Sequence, residues 1–107
     1  MKFRSVKGTR DILPADAPAW QAIERTVRRV MQDFHYREIR TPIFEPTALF
    51  SRSIGELTDI VSKEMYTFPD RSGDSLTLRP EGTAAVLRAY VQNNLGEQNP
   101  LAKVYYI

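Results

Sequence analysis

The stretch Thr77-Leu78-Arg79-Pro80-Glu81-Gly82-Thr83-Ala84 is the most informative part of the chain. It leads out of an alternating strand pattern, through a proline–glycine turn, and directly into a segment with helical periodicity. Glu81 and Thr83 stand at that turn, where two side chains on rigid elements can point at one ligand. A carboxylate at the start of a helix is held ionised by the helix dipole, and it suits an ammonium ligand through charge-assisted hydrogen bonds. The plainer interpretation is that Pro80–Gly82 is only a turn and that Thr83 only caps the helix.

The residues on either side predict a hairpin and a helix. The alternating segments Glu64–Phe68 and Ser75–Leu78 flank Pro69–Asp74, which is rich in turn-forming residues. After the turn, apolar residues recur at helical spacing, and we expect Asn93, Asn94 and Gly96 to stop this helix. Its apolar positions are Ala84, Val86, Leu87, Tyr90 and Val91.

The clearest helix lies nearer the amino terminus. It is predicted to begin near Asp16, a plausible N-cap, with Pro18 in the first turn. Apolar residues at steps of three and four make one stripe along it. They are Trp20, Ile23, Val27, Val30, Met31 and Phe34.

A proline-containing segment follows this helix. Ile39 alternates with polar neighbours as in a half-buried strand, and Pro42 and Pro46 exclude a helix interior. We expect Thr47 to cap a short helix that Gly55 ends.

The composition is that of an ordinary soluble domain. The chain has 107 residues, 42% hydrophobic and 26% charged, with a formal net charge of +2. It contains no apolar run near the ~20 residues of a membrane span, and its start lacks the apolar segment of a signal peptide. The absence of cysteine excludes disulfides and thiolate metal sites, and His35 is the sole histidine. We therefore expect a cytosolic protein without a metal site, whose mild charge permits a nucleic-acid partner without arguing for one.

Four blocks of the sequence resemble those of histidyl-tRNA synthetases, a family of class II aminoacyl-tRNA synthetases. In order, they are Lys7–Pro14, Glu38–Pro42, Lys63–Phe68 and Leu78–Thr83. Their order and spacing, and a coverage of essentially the whole chain, make the resemblance specific. It implies an α+β fold: the amino-terminal part of the class II catalytic domain, spanning residues 1–107, with a mixed, mainly antiparallel sheet and flanking helices.

The resemblance also implies a function. In the family the Glu-Gly-Thr segment contacts the substrate, so Glu81, Gly82 and Thr83 would bind L-histidine. The long helix followed by Glu38–Pro42 resembles class II motif 1, which helps to form the homodimer interface and whose characteristic proline would be Pro42. The implied activity is that of an ATP-dependent ligase, using Mg²⁺, which converts L-histidine into histidyl-adenylate and transfers it to tRNA(His) in the cytoplasm.

The carboxyl end departs from the family pattern. Tyr105–Ile107 resembles the opening of motif 2, whose following arginine would hold ATP. That arginine, motif 3 and the anticodon-binding domain are not among the 107 residues, so the ligands of ATP and Mg²⁺ are expected mostly outside them. We therefore expect Leu101–Ile107 to be a strand cut short by truncation. The fragment alone should be inactive and should associate through its uncovered apolar surface.

Two other interpretations remain open from the sequence. One is a catalytically inactive paralogue, like the regulatory subunit that partners ATP phosphoribosyltransferase. The other is a free-standing dimerisation module that uses the motif 1 surface. Relatives of the first kind tend to lose the Glu-Gly-Thr pattern, which is intact here at Glu81–Thr83.

Overall fold

The computed structural model describes residues 2–54 and 64–107. In these ranges the helices are α1 (Ala17–Asp33), α2 (Thr47–Ile54), α3 (Thr83–Gln92) and α4 (Leu95–Gln98). The strands are β1 (Arg37–Glu38), β2 (Phe44–Pro46), β3 (Thr67–Pro69), β4 (Ser75–Leu78) and β5 (Val104–Tyr105). The chain divides into two compact units: residues 1–37 with residue 107, and residues 38–106.

Helix α1 has the predicted start and a defined end. Asp16 is its N-cap, and Pro18 stands in the first turn, where a missing N–H costs nothing. At the other end, the N–H of His35 donates to the carbonyl of Gln32 (3.0 Å), and the N–H of Tyr36 donates to that of Met31 (2.8 Å). This pair of bonds is a Schellman motif, which requires its central residue to be left-handed. His35 accordingly has φ +63°.

We predict that His35→Gly stabilises the first unit. A side chain in the left-handed region costs roughly 1–2 kcal/mol, and glycine removes that cost. Glycine also makes the unfolded chain more flexible, which lowers the free energy of unfolding by about 0.5–1 kcal/mol. The expected net gain is therefore about 0.5 kcal/mol. Urea denaturation at one protein concentration measures it. Asn94→Gly is the matched control: Asn94 also follows a helix with a left-handed φ of +52°. Asparagine tolerates that region well, so an equal gain there would contradict the explanation.

A three-stranded sheet organises the second unit. Strand β4 lies in its centre and pairs antiparallel with β2 and with β3, so the predicted hairpin is confirmed. The register places Thr77 opposite Glu45 on one side and opposite Thr67 on the other. Both edge strands end in proline, Pro46 and Pro69, which is where a sheet tolerates a residue without an N–H.

One face of this sheet is covered and the other is not. Thr77 is fully buried, and its hydroxyl lies 2.8 Å from that of Thr47 and 3.0 Å from that of Thr67. The opposite face carries an edge-to-face contact of Phe44 with Phe68, whose ring centroids are 6.1 Å apart. Both rings remain exposed.

The apolar core among the described residues is small and consists mainly of helix-to-helix packing. Phe50 of α2 is fully buried. Helix α2 is in contact with α3, which carries the other three buried apolar side chains. These are Ala84, Ala85 and Ala89.

Several predicted boundaries are wrong at the level of single residues. Gly96 does not stop the second helix: Asn93 and Asn94 end α3, and Gly96 lies inside α4. Thr47 is the first residue of α2, and its hydroxyl bonds to those of Ser75 and Thr77. Strand β5 covers only two of the seven residues predicted for it. Gly55, the expected end of α2, lies outside the described residues, and the block beginning at Lys63 lies partly outside them.

The observed class agrees with the expectation at a coarse level. The second unit combines a small antiparallel sheet with helices, and a separate two-stranded sheet pairs β1 with β5. Within the described ranges, none of the helices is long and apolar enough to span a membrane.

Candidate functional site

The Glu81–Thr83 segment connects the central strand to helix α3. Gly82 is the N-cap, and Thr83 is the first helical residue, so Thr83 is not itself the cap. Glu81 reaches forward instead: its Oε2 accepts the N–H of Thr83 at 2.5 Å, and its Oε1 accepts that of Ala84 at 3.1 Å. These N–H groups have no partner within the helix, so the carboxylate satisfies them and faces the positive end of the helix dipole.

This arrangement leaves Glu81 able to bind a cation as well. A carboxylate offers about four acceptor positions, and the two N–H groups occupy only part of them. The side chain is half-buried. Thr83 is exposed beside it, and its hydroxyl has no hydrogen bond to the parts of the chain that are described. The turn therefore combines a negative charge with an available hydroxyl, a pair that suits an ammonium ligand.

Gly82 is close to an aromatic ring that sequence reasoning did not connect to it. A Cβ built on Gly82 would lie 2.5 Å from Oη and 2.7 Å from Cε2 of Tyr106. Cβ atoms in proteins essentially never come this close to another side chain, so the ring occupies the space that a side chain would need. No local pattern signals this contact, because it joins residues 24 positions apart in sequence.

Arg79 connects the turn to the segment around Pro42. Its backbone N–H donates to the carbonyl of Ile43 at 2.9 Å. Its guanidinium lies 3.3 Å from the carbonyl of Thr41 and 3.4 Å from the hydroxyl of the same residue. Pro42 is exposed between these two anchored neighbours, two residues from the strand β2. The segment carrying Pro42 is therefore fixed to the residues that lead into Glu81.

An ion pair that the sequence analysis missed fixes helix α3 to the sheet. Glu45 of β2 is 5% exposed, and Arg88 of α3 donates to it twice, from Nη2 at 2.6 Å and from Nε at 3.0 Å. Arg88 also donates to Gln92 at 2.9 Å. The pair sets the position of α3, whose first turn carries the candidate site. Its sequence signal was weak because 43 residues separate the partners.

The turn of the hairpin has its own carboxylate network. Asp70 accepts the hydroxyl and the N–H of Ser72, both at 2.8 Å, and the N–H of Asp74 at 2.9 Å. The bond from the Ser72 hydroxyl, followed by that from the Asp74 backbone, lowers the pKa of Asp70 below its usual value. These bonds close the turn itself. Over the described ranges, no group of three or more acidic, histidine or cysteine side chains could hold a metal ion.

Comparison with known proteins extends over almost all of the chain. The family model described as histidyl-tRNA synthetase matches residues 8–107. A histidine–tRNA ligase of Chloroherpeton thalassium is 60% identical over all of this chain and 25% of its own length. One of Anoxybacillus flavithermus is 56% identical over all of this chain and 26% of its own length. The chain thus spans about a quarter of the curated relatives it matches.

Two solved structures are similar in fold. The apo crystal structure of Staphylococcus aureus histidyl-tRNA synthetase aligns with a TM-score of 0.80 and 44% identity, over 98% of this chain and 24% of that one. A Bacillus halodurans protein described as an ATP phosphoribosyltransferase regulatory subunit/histidyl-tRNA synthetase aligns with a TM-score of 0.77 and 24% identity, which shows the shared fold alone. The match of residues 8–107, together with these relatives, shows that the chain belongs to the histidyl-tRNA synthetase family.

Proposed function

We propose that this chain is the amino-terminal part of a histidine–tRNA ligase and contributes one side of its histidine pocket. The observation that carries the proposal is the geometry of Glu81, whose carboxylate is fixed against the start of α3 with acceptor capacity remaining. Glu81 binds the ammonium group of L-histidine, and Thr83 supports it through its hydroxyl. The backbone at Gly82 completes this wall of the pocket.

The reaction of the longer enzyme takes place in two steps. The carboxylate of histidine attacks the α-phosphorus of ATP, pyrophosphate leaves, and histidyl-adenylate forms. A hydroxyl of tRNA(His) then attacks the activated carbonyl, and AMP leaves. Mg²⁺, whose ligands are expected mostly outside these residues, would neutralise phosphate charge. The residues of this chain hold the amino end of histidine, so that its carboxylate is presented in a fixed direction.

The proposal includes a cytoplasmic homodimer formed through the motif 1 segment with Pro42. Exposed apolar surface on α1 supports such an assembly, because a large uncovered stripe on a helix usually marks a contact surface. Along this helix Trp20 is 44% exposed and Ile23 60%, and Phe34 at its C-cap is 66% exposed.

Histidine-dependent ATP–pyrophosphate exchange tests the proposed activity. A full-length enzyme containing these residues should incorporate labelled pyrophosphate into ATP when L-histidine is present. It should not do so when another amino acid replaces histidine. An inactive paralogue or a dimerisation module would give no exchange with any amino acid. That outcome would overturn the proposal.

Thr83→Val should raise the KM for histidine about fivefold. Valine has nearly the shape of threonine but lacks the hydroxyl, and a neutral hydrogen bond contributes about 1 kcal/mol. Steady-state exchange against histidine concentration gives this KM. Thr67→Val is the matched control, since it removes a hydroxyl bonded to Thr77 in the sheet, away from α3. An equal rise in both variants would mean that Thr83 acts only through the fold.

A further inference from the structure

We propose that Tyr106 is a positioning residue of the candidate histidine site, acting through Gly82. The inference rests on the proposed function and adds a residue to it. It begins from the backbone of Gly82, which has φ −99° and ψ −22°. Any amino acid adopts these angles, so the conformation of the turn does not require glycine at this position.

The requirement comes from packing. A Cβ at Gly82 would overlap the Tyr106 ring at three atoms, Cζ, Oη and Cε2. The ring therefore lies directly against the backbone between Glu81 and Thr83, the two side chains proposed to hold the ammonium group. Because van der Waals overlap is steeply repulsive, the ring prevents the turn from moving towards it.

The backbone next to Tyr106 is held by a hydrogen bond. The carbonyl of the preceding residue, Tyr105, accepts the N–H of Ile39 at 2.9 Å, which ties β5 to the chain beside β1. About half of the Tyr106 side chain remains exposed (52%), so one part of it packs on the turn and another is accessible. The ring thus packs on the turn and is not a part of the apolar core.

A double-substitution cycle in the full-length enzyme tests this inference. Gly82→Ala and Tyr106→Ala should each raise the histidine KM about tenfold, with the ATP KM and kcat changed less than twofold. In the double variant the added methyl group enters space that the ring has left, so the KM should rise no further than in either single variant. Tyr106→Phe keeps the ring and should therefore have the histidine KM of the wild type, unlike Tyr106→Ala.

The chain offers a matched control at a second glycine. The Tyr90 ring covers Gly96 in the same way, with Cζ 2.9 Å from a built Cβ. Gly96→Ala and Tyr90→Ala should couple in thermal stability and leave the histidine KM unchanged, since neither has been placed in the site.

The outcomes separate the two proposals. If the Gly82 and Tyr106 effects multiply to about a hundredfold, the ligand and not the ring excludes a side chain at Gly82, and the inference is overturned. If Glu81→Gln changes the histidine KM but Tyr106→Ala does not, the inference fails while the proposed function stands. If the KM responds to neither, both fail. A response to Tyr106→Ala without one to Glu81→Gln also overturns the inference, because the ring is proposed to act through the turn.

Discussion

In the full-length enzyme, Glu81→Gln is expected to weaken the use of histidine by about 30- to 1000-fold. The substitution keeps the shape of the side chain and removes its charge, which would leave the ammonium of the substrate without a counter-ion. Such a loss costs roughly 2–4 kcal/mol, and each 1.4 kcal/mol corresponds to about a factor of ten. Pyrophosphate exchange measured against histidine concentration should show the loss, while the KM for ATP stays unchanged.

The structure gives this experiment an internal control, because Glu81 has a structural role that is separate from the proposed binding. Its carboxylate accepts the N–H groups of Thr83 and Ala84. The amide oxygen of glutamine still accepts one of these bonds, but the charge that faces the helix dipole is lost, so Glu81→Gln should cost about 0.5 kcal/mol of stability. Glu81→Ala loses the cap as well and should cost about 1 kcal/mol of stability. An unchanged histidine dependence in Glu81→Gln would show that Glu81 is only a turn residue.

Removing Arg88 should produce the largest loss of stability of any substitution considered. Arg88→Met keeps most of the aliphatic length and removes the guanidinium, which leaves the carboxylate of Glu45 buried at 5% exposure without its partner. Breaking a buried ion pair on one side typically costs about 3–5 kcal/mol. Urea denaturation of the 107-residue chain at a fixed concentration measures this loss.

The double variant Glu45→Met/Arg88→Met should recover most of it. Once both charges are absent, nothing buried is left unpaired, and apolar replacement of a buried pair is often neutral. Arg88→Lys should recover little, because lysine cannot make the two parallel bonds that Nε and Nη2 donate. Additive losses in the double variant would show that the two side chains act independently.

Local chemistry in the sequence predicted the elements and missed the contacts between them. Asp16 and Pro18 predicted the start of α1, and the turn residues Pro69–Asp74 predicted the hairpin, because these signals depend only on neighbours in the chain. The end of α3 was misjudged at Gly96, since glycine serves there to admit the Tyr90 ring and not to break a helix. Glycine occurs both where a ring lies close to the backbone and where a helix ends, so the residue alone does not distinguish the two.

The candidate site was likewise predicted only in part. The position of Glu81 and Thr83 at a helix start followed from the turn pattern, and the structure places both there. The connections of that turn to Tyr106, and of α3 to Glu45, depend on tertiary packing over tens of residues. No periodicity encodes such pairs. The binding of histidine by Glu81, Gly82 and Thr83, and the interface role of Pro42, remain predictions.

The position of Trp20 has a spectroscopic consequence. It is the sole tryptophan of the chain, and it lies on α1, in the first compact unit, 44% exposed. Indole emission from the 107-residue chain therefore reports on that unit, whereas circular dichroism sums over both. If the units melt one after the other, His35→Gly should shift the emission transition, and Arg88→Met should shift mainly the dichroism transition. Two probes on one sample can thus show whether the units melt together or one after the other.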